Sequence, residues 1–201
     1  FDSAASDYID CGDSDTFSFG DGSSDNPFSI SAWIKMDVAS NFRLISKYQS
    51  SDYEYHFDIG GGGYLQLYLF DGASAWRARY QNSTLNTDQW YYVAATYSGV
   101  GGTNAQDGIK IYVDGVRVDD TTASSGTYTA MSNTNAPLNI GRLDSNYANG
   151  KISNISIFNE ELTSTEVLKL YSNGVPQDLS SFTPQPVAWY PLGSNSFWNG
   201  S

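Results

Sequence analysis

A single cysteine, Cys11, rules out an internal disulfide and any zinc cluster built on paired thiolates. Basic residues are nearly as scarce. Ten Lys and Arg stand against 22 Asp and Glu, giving a formal net charge of −12 and a pI near 4.1. Without a basic patch nothing can neutralise a phosphate backbone, so nucleic acid is excluded as a partner. No apolar run approaches the ~18 residues of a spanning helix, so membrane insertion is not expected. Glutamate is confined to Glu54, Glu160, Glu161 and Glu166; the other acids are aspartate. The one histidine, His56, has no Ser or Cys nucleophile motif beside it. Neither a phosphate-binding glycine loop nor a nucleophile elbow occurs. No secretory leader opens at Phe1, which starts inside folded-looking sequence, so a processed or truncated chain is expected.

What the chain has is apolar and aromatic residues, 40% and 15% of the total. In 201 residues these suffice for a buried core and exclude a disordered polymer. Phe28–Met36 alternates, with Phe28, Ile30, Ala32, Ile34 and Met36 on one parity. Further strands read at Leu44–Tyr48, Tyr53–Ile59, Tyr64–Phe70, Trp76–Tyr80 and Trp90–Tyr97. After the Gly99–Gly108 loop, Ile109–Val113 and Val116–Asp120 flank Asp114-Gly115, a type I′ hairpin signal. Leu138–Ile140 and Lys151–Phe158 complete the set. Short strands at this spacing predict an all-β, two-sheet antiparallel sandwich or jelly roll. One short C-terminal helix is signalled by the Thr163/Glu166 capping box, a Leu162/Val167 staple and Gly174 as the stop. A Ser/Thr/Pro-rich linker follows, then Val187–Ser201, which reads as the lead-in to another unit.

Strand parity assigns faces. Burying Leu65, Leu67 and Leu69 turns Gln66, Tyr68 and Phe70 outward. Burying Tyr55, Phe57 and Ile59 exposes Glu54, His56 and Asp58. Burying Trp76, Ala78 and Tyr80 exposes Arg77 and Arg79. The predicted ligand face is therefore Glu54, His56, Asp58, Gln66, Tyr68, Arg77 and Arg79. Rings beside hydrogen-bonding groups suit a sugar, whose C–H surface stacks while its hydroxyls are satisfied. A merely solvated, charge-paired sheet face gives the same pattern. Separately, the excess of aspartate offers oxygen donors for calcium in some loops, or simply a solubilising acidic surface.

The blocks FSISAWIKM, LISKY, WYYVAATY, IKIYVDG, LNIGR and GKISNISIFNEELTSTEVLKLYSNG resemble the laminin G-like, concanavalin A-like jelly roll, over residues 1–174. The resemblance implies a two-sheet sandwich with one concave face, and residues 175–201 as linker and lead-in to a possible further repeat. It also implies calcium, structural or ligand-bridging: the structural ion would sit at the sandwich edge on Asp21 and Asp25, which flank a glycine turn with carbonyls available, an Asx turn without metal being the alternative. Asn154 occupies a position where relatives often carry a ligating Asp. A pentraxin-like reading would place a ligand-bridging ion near Asp52 and Asp144. Glucanases of this fold carry an E-x-D-x-x-E strand, and Glu54–Asp58 has different spacing. Those two carboxylates lie ~13 Å apart along a strand, where a retaining pair needs about 5–5.5 Å.

The expected function is a non-catalytic recognition or adhesion module, glycan-binding and calcium-stabilised. It would belong to a modular extracellular, cell-surface or virion protein, bacterial or phage, with possible self-association or neighbouring repeats. The alternatives are a structural decoration or fibre domain and, less well supported by residues, a glycoside hydrolase. Sequons stand at Asn82, Asn154 and Asn199.

Overall fold

A computed structural model describes residues 1–72 and 75–193. Strands form at Ile9–Asp10 (β1), Phe28–Met36 (β2), Phe42–Gln49 (β3), Asp52–Ile59 (β4), Leu65–Gly72 (β5), Trp76–Gln81 (β6), Trp90–Tyr97 (β7) and Ile109–Val113 (β8). They continue with Val116–Arg117 (β9), Asp119–Ser125 (β10), Leu138–Ile140 (β11), Arg142–Leu143 (β12), Asn146–Tyr147 (β13), Gly150–Phe158 (β14) and Ala188–Tyr190 (β15). One sheet runs β1-β11-β3-β4-β5-β6-β10 and the other β15-β14-β2-β7-β8-β9, with β12-β13 a separate hairpin. Each named pairing is antiparallel, as the sandwich expectation requires.

The core lies between the sheets. Phe28, Ile30, Ile34 and Met36 of β2 face Tyr55, Phe57 and Ile59 of β4 and Leu65, Leu67 and Leu69 of β5, all essentially inaccessible. At fully buried aliphatic and aromatic positions each contributes ~1.5–3 kcal/mol. The other parity of β2 is buried too. Ser29 Oγ donates to Glu160 O (2.8 Å) and accepts from Leu162 N (2.9 Å), while Ser31 and Ser156 share a 2.7 Å hydroxyl contact. These buried polar groups are thus paired, as burial demands. Gly150, at φ +139°, starts β14 against β2; a Cβ there would sit 2.2 Å from the Lys35 carbonyl, so only glycine fits.

The capping box forms as predicted: Thr163 caps the helix α1 (Ser164–Tyr171) and Glu166 answers at 2.7 Å. The helix ends at Ser172 in left-handed geometry, before Gly174. Asp114 and Gly115 both take positive φ, the I′ signature. The return strand departs from expectation. Only Val116 and Arg117 pair with β8, after which the chain crosses at Val118 and pairs as β10 with β6 of the opposite sheet.

From β10 the chain runs through 126–137 to β11, near the other edge of the same sheet. Asp25, just before β2, clasps this segment. Its carboxylate accepts from Tyr97 Oη (2.6 Å), Tyr128 Oη (2.9 Å) and the Met131 amide (2.6 Å). Burial raises its pKa, and the hydrogen bonds offset only part of that.

The segment read as linker and lead-in is packed on the sandwich as far as it is described. Leu179 is buried and Phe182 meets Phe158 edge to face at 6.1 Å. β15 pairs with β14 through Ala188–Ile157, Trp189–Ser156 and Tyr190–Ile155. Val187, Ala188, Tyr190 and Leu192 lie against the main core. The sequon Asn199 lies outside the described residues.

Two outcomes follow for stability. Removing the chain from Val175 onward uncovers these side chains, and a urea titration is expected to show a loss of about 5 kcal/mol or more. An unchanged midpoint would contradict the packing. A raised aspartate pKa means the native state takes up a proton more readily than the unfolded chain. Wild type is therefore expected to gain stability relative to Asp25→Asn as pH falls from 7 toward about 4, the ordinary aspartate range. Thermal melts across that window check the sign.

Candidate functional site

The outer face of the β2 sheet is closed. Trp33, Tyr92, Tyr112 and Phe158 are covered there by Leu162, Val167 and Leu170 of the helical region and by Leu179. Among the described residues, the outer face of the opposite sheet has no such cover over β4–β6, and its side chains define the candidate site.

Register puts the site together. Directly opposed residues in an antiparallel sheet share a face. One row reads Ser46, His56, Tyr68, Ala78 across β3–β6; the next reads Arg43, Asp58, Gln66, Tyr80; Phe70 pairs with Trp76. The rings form a continuous platform. Tyr48 stacks on Tyr53 at 4.1 Å and meets Phe70 edge-on at 5.3 Å. Phe70 lies 5.8 Å from Tyr68, which stacks on His56 at 4.7 Å and touches Trp76 at 5.0 Å. Tyr68 and Tyr80 share a hydroxyl–hydroxyl hydrogen bond. Tyr48, Tyr53, Tyr68, Trp76 and Tyr80 keep partial exposure. The β12-β13 hairpin rises beside β3, held by Ser46 Oγ donating to Arg142 O (2.7 Å).

Beside the rings, in the neighbouring row of the same face, lie polar groups. Asp58 is buried, accepts from Gln66 Nε2 at 2.8 Å and pairs with Arg43. Burial pushes its pKa up, but His56, Arg43 and Gln66 together bring it below the usual aspartate value. His56 Nδ1 is 3.4 Å from Asp58 Oδ1 without hydrogen-bonding geometry. Burial leads in raising Tyr48 to about 12, and the Tyr53 and Asp144 charges add to it; Tyr68 is raised further, again chiefly by burial. Tyr48 and Tyr68 are therefore neutral hydrogen-bonding groups at physiological pH.

Of the predicted face, His56, Asp58, Gln66 and Tyr68 come together here. Glu54, Arg77 and Arg79 do not, and none of His56, Asp58, Gln66 or Arg77 is freely solvated as parity implied. Glu54 sits at a bulge between Tyr53 and Tyr55, where its carboxylate accepts from buried Lys47 (2.8 Å) and from Thr134 N (2.8 Å). Arg77 and Arg79 oppose Leu69 and Leu67, so they point inward. Arg77 donates to the carbonyls of Thr103, Trp76 and Ser125 at 2.8–3.1 Å and lies over the Tyr128 ring. Arg79 pairs with Asp119 at 2.8 Å. The parity error has a physical cause: at this edge the inner side of β6 meets loop carbonyls and carboxylates, not oil. Cations turn inward, and Trp76 and Tyr80 turn out to stack with Tyr68.

The predicted metal ligands are dispersed. Asp21 accepts from the amides of Ser23 and Ser24 (2.8 Å each), an Asx-type turn. Both oxygens of Asp25 are occupied by three inward donors, so this pair does not fit a calcium ion. Asn154 takes φ +47° at a β14 bulge; its Oδ1 accepts from Trp189 Nε1 (3.2 Å). Asp144 reaches the Ser50 amide (3.3 Å) at the turn that precedes Asp52. Among the described residues no three His, Cys, Asp or Glu gather as a metal site.

Tyr48, Tyr53, Phe70, Trp76 and Tyr80 were not in the predicted set. Phe70 was readable from the parity of β5. Tyr48 and Tyr53 were hidden by bulges at Lys47/Tyr48 and Tyr53/Tyr55, which shift the side-chain count.

No curated protein sequence matches the chain. Among solved structures, a protein of Bacteroides ovatus to which carbohydrate binding is ascribed is 20% identical, with a TM-score of 0.55. That match covers 84% of this chain and 46% of the other, so this chain spans under half of its relative's length. Domain 4 of an extracellular arabinanase from Geobacillus stearothermophilus, solved with arabinotriose, is 21% identical over 75% of this chain and 69% of the domain (TM-score 0.52). A heptameric pentraxin of Limulus polyphemus matches at 16% identity, 92% of both chains and TM-score 0.52. At these identities the likeness speaks to fold. The family itself is fixed by sequence: the laminin G-like model of the concanavalin A-like lectin/glucanases superfamily matches residues 4–168, and the chain is a member of that family.

Proposed function

We propose that this chain is a non-catalytic recognition module that binds glycans on the ring platform of β3–β6. The observation that carries the reading is the continuous run Tyr48–Phe70–Tyr68–Trp76, in which Tyr48, Tyr68 and Trp76 are partly exposed about a buried Phe70, beside a row of amide, imidazole and carboxylate groups. Rings stack on the C–H faces of sugars, and the partly exposed phenol hydroxyls serve sugar hydroxyls. Relatives of the same fold that handle carbohydrate, among them the arabinanase domain solved with arabinotriose, lend support.

Catalysis is not part of the proposal: the two carboxylates of β4 that the sequence set nearest a glucanase pattern are committed, Glu54 to Lys47 and Thr134, Asp58 to Arg43 and Gln66. Retaining or inverting hydrolysis needs one carboxyl free as acid and another as base or nucleophile. The Asp21–Asp25 loop is not proposed as a calcium site, since its carboxylates are taken by the chain's own amides and phenols. A role outside the cell, on a cell or virion surface, belongs to the same proposal. It agrees with the extracellular arabinanase relative and with a chain in which no described helix is long and apolar enough to cross a membrane.

Two substitutions separate recognition from folding. Tyr68→Ala is expected to abolish glycan binding on arrays and in calorimetry while the protein still melts cooperatively. Arg77→Ala strands buried carbonyls and is expected to cost about 3 kcal/mol, a Tm loss of roughly 6–12 °C. Binding that survives Tyr68→Ala intact would place the site elsewhere.

A further inference from the structure

We infer that the ligand of this platform is an uncharged oligosaccharide chain, engaged over more than one sugar ring, and that acidic glycans are rejected. The inference rests on the glycan reading above and adds charge and length to it.

Length comes from the rings. The platform crosses β3, β4, β5 and β6, three strand spacings or about 14 Å. Consecutive ring centroids from Tyr53 through Tyr48, Phe70 and Tyr68 to Trp76 lie 4.1–5.8 Å apart, with no gap. That footprint is longer than a single monosaccharide can cover.

Charge comes from where the ten cations are. Arg43, the cation within the platform's rows, is spent on Asp58 and on Asn41 Oδ1 (2.9 Å). Lys47 is buried with Asp13 and Glu54, and Arg77 and Arg79 turn to the inner side. Arg142, on the flanking hairpin, donates Nε to Asp144 O (2.7 Å) and lies over Tyr8. Lys110 and Arg117 pair with Glu161 and Asp119. Lys35 and Lys151 oppose each other in the other sheet, and Lys169 is in α1. What flanks the rings is acidic: Asp144 bears on Tyr48, and Asp52 opens β4. Within the platform's rows a carboxylated or sulfated sugar would meet no cation free of a carboxylate, and Arg142 of the flanking hairpin, held by a carbonyl and a ring, stands against Asp144, Asp52 and the field of a chain of net charge −12. A neutral sugar needs only C–H stacking and neutral hydroxyl partners, which the platform supplies.

The test is an array carrying neutral chains (arabinotriose, cello-, malto- and galacto-oligosaccharides) beside acidic ones (sialyllactose, oligogalacturonate, heparin fragments). Hits are followed by calorimetry at low and high salt. The expected result is binding to one or more neutral chains, at least roughly tenfold tighter than to their monosaccharide. That affinity should be unchanged by salt and lost in Tyr68→Ala. Trp76→Ala, at the far end of the row, is expected to lower affinity for the chain more than for the monosaccharide. Acidic glycans bound as well or better, with affinity falling as salt rises and lost in Tyr68→Ala, would overturn the charge assignment while leaving glycan recognition in place. Equal affinity for chain and monosaccharide would overturn the length. Binding to neither panel by a protein that melts like the folded chain would overturn both this inference and the reading beneath it.

Discussion

The carboxylate of Asp25 joins parts of the chain that oil alone would not bring together. It is placed before β2, accepts from Tyr97 of β7, and holds Tyr128 and Met131 of the long segment between β10 and β11. That segment then meets Glu54 through Thr134, and Glu54 meets Lys47, which reaches Asp13. A chain of buried polar contacts thus runs along one rim of the sandwich. Each member is costly if left alone and stabilising once satisfied. The same segment meets β5 where Ser132 Oγ donates to Asp71 O and β6 where Arg77 lies over Tyr128, so the strand ends that carry Tyr53, Phe70 and Trp76 are tied to this rim. The ring platform is therefore held from below by charges that are not themselves available to a ligand.

Burial divides between the layers unevenly. Both sheets share the central core, but among the described residues only the β2 sheet is covered a second time, by α1 and the returning C-terminal segment. Its alternating Ser29, Ser31 and Trp33 look like a solvated parity and are not. The opposite sheet keeps its outer rings partly open. The asymmetry decides which face can meet another molecule.

Much of the fold was legible in the chain because its signals are local. β2, β7, β8 and β11 run over the residues that alternation marks out, and the Thr163/Glu166 box and Asp114-Gly115 turn form as their side chains dictate. What was not legible depended on partners distant in sequence. Nothing in VRVDD says that two residues pair in one sheet and the next ones in the other. Nothing in VAWYPL says that it closes an edge beside β14. At the site, alternation correctly set His56, Asp58, Gln66 and Tyr68 on one face. It failed at Glu54 because of a bulge, and at Arg77 and Arg79 because hydrophobicity is a poor guide to orientation where a sheet edge borders backbone oxygens.

Arg77 shows what such an edge achieves. Its guanidinium draws together the backbone oxygens of Thr103, Trp76 and Ser125 and sits against Tyr128, so loops from three stretches of sequence converge on one positive centre. A divalent ion could gather carbonyls in the same manner, but it could also be stripped away by a chelator or lost on dilution. A tethered guanidinium stays protonated at any pH the protein will meet. This corner of the molecule is thereby organised by a positive charge it can never release.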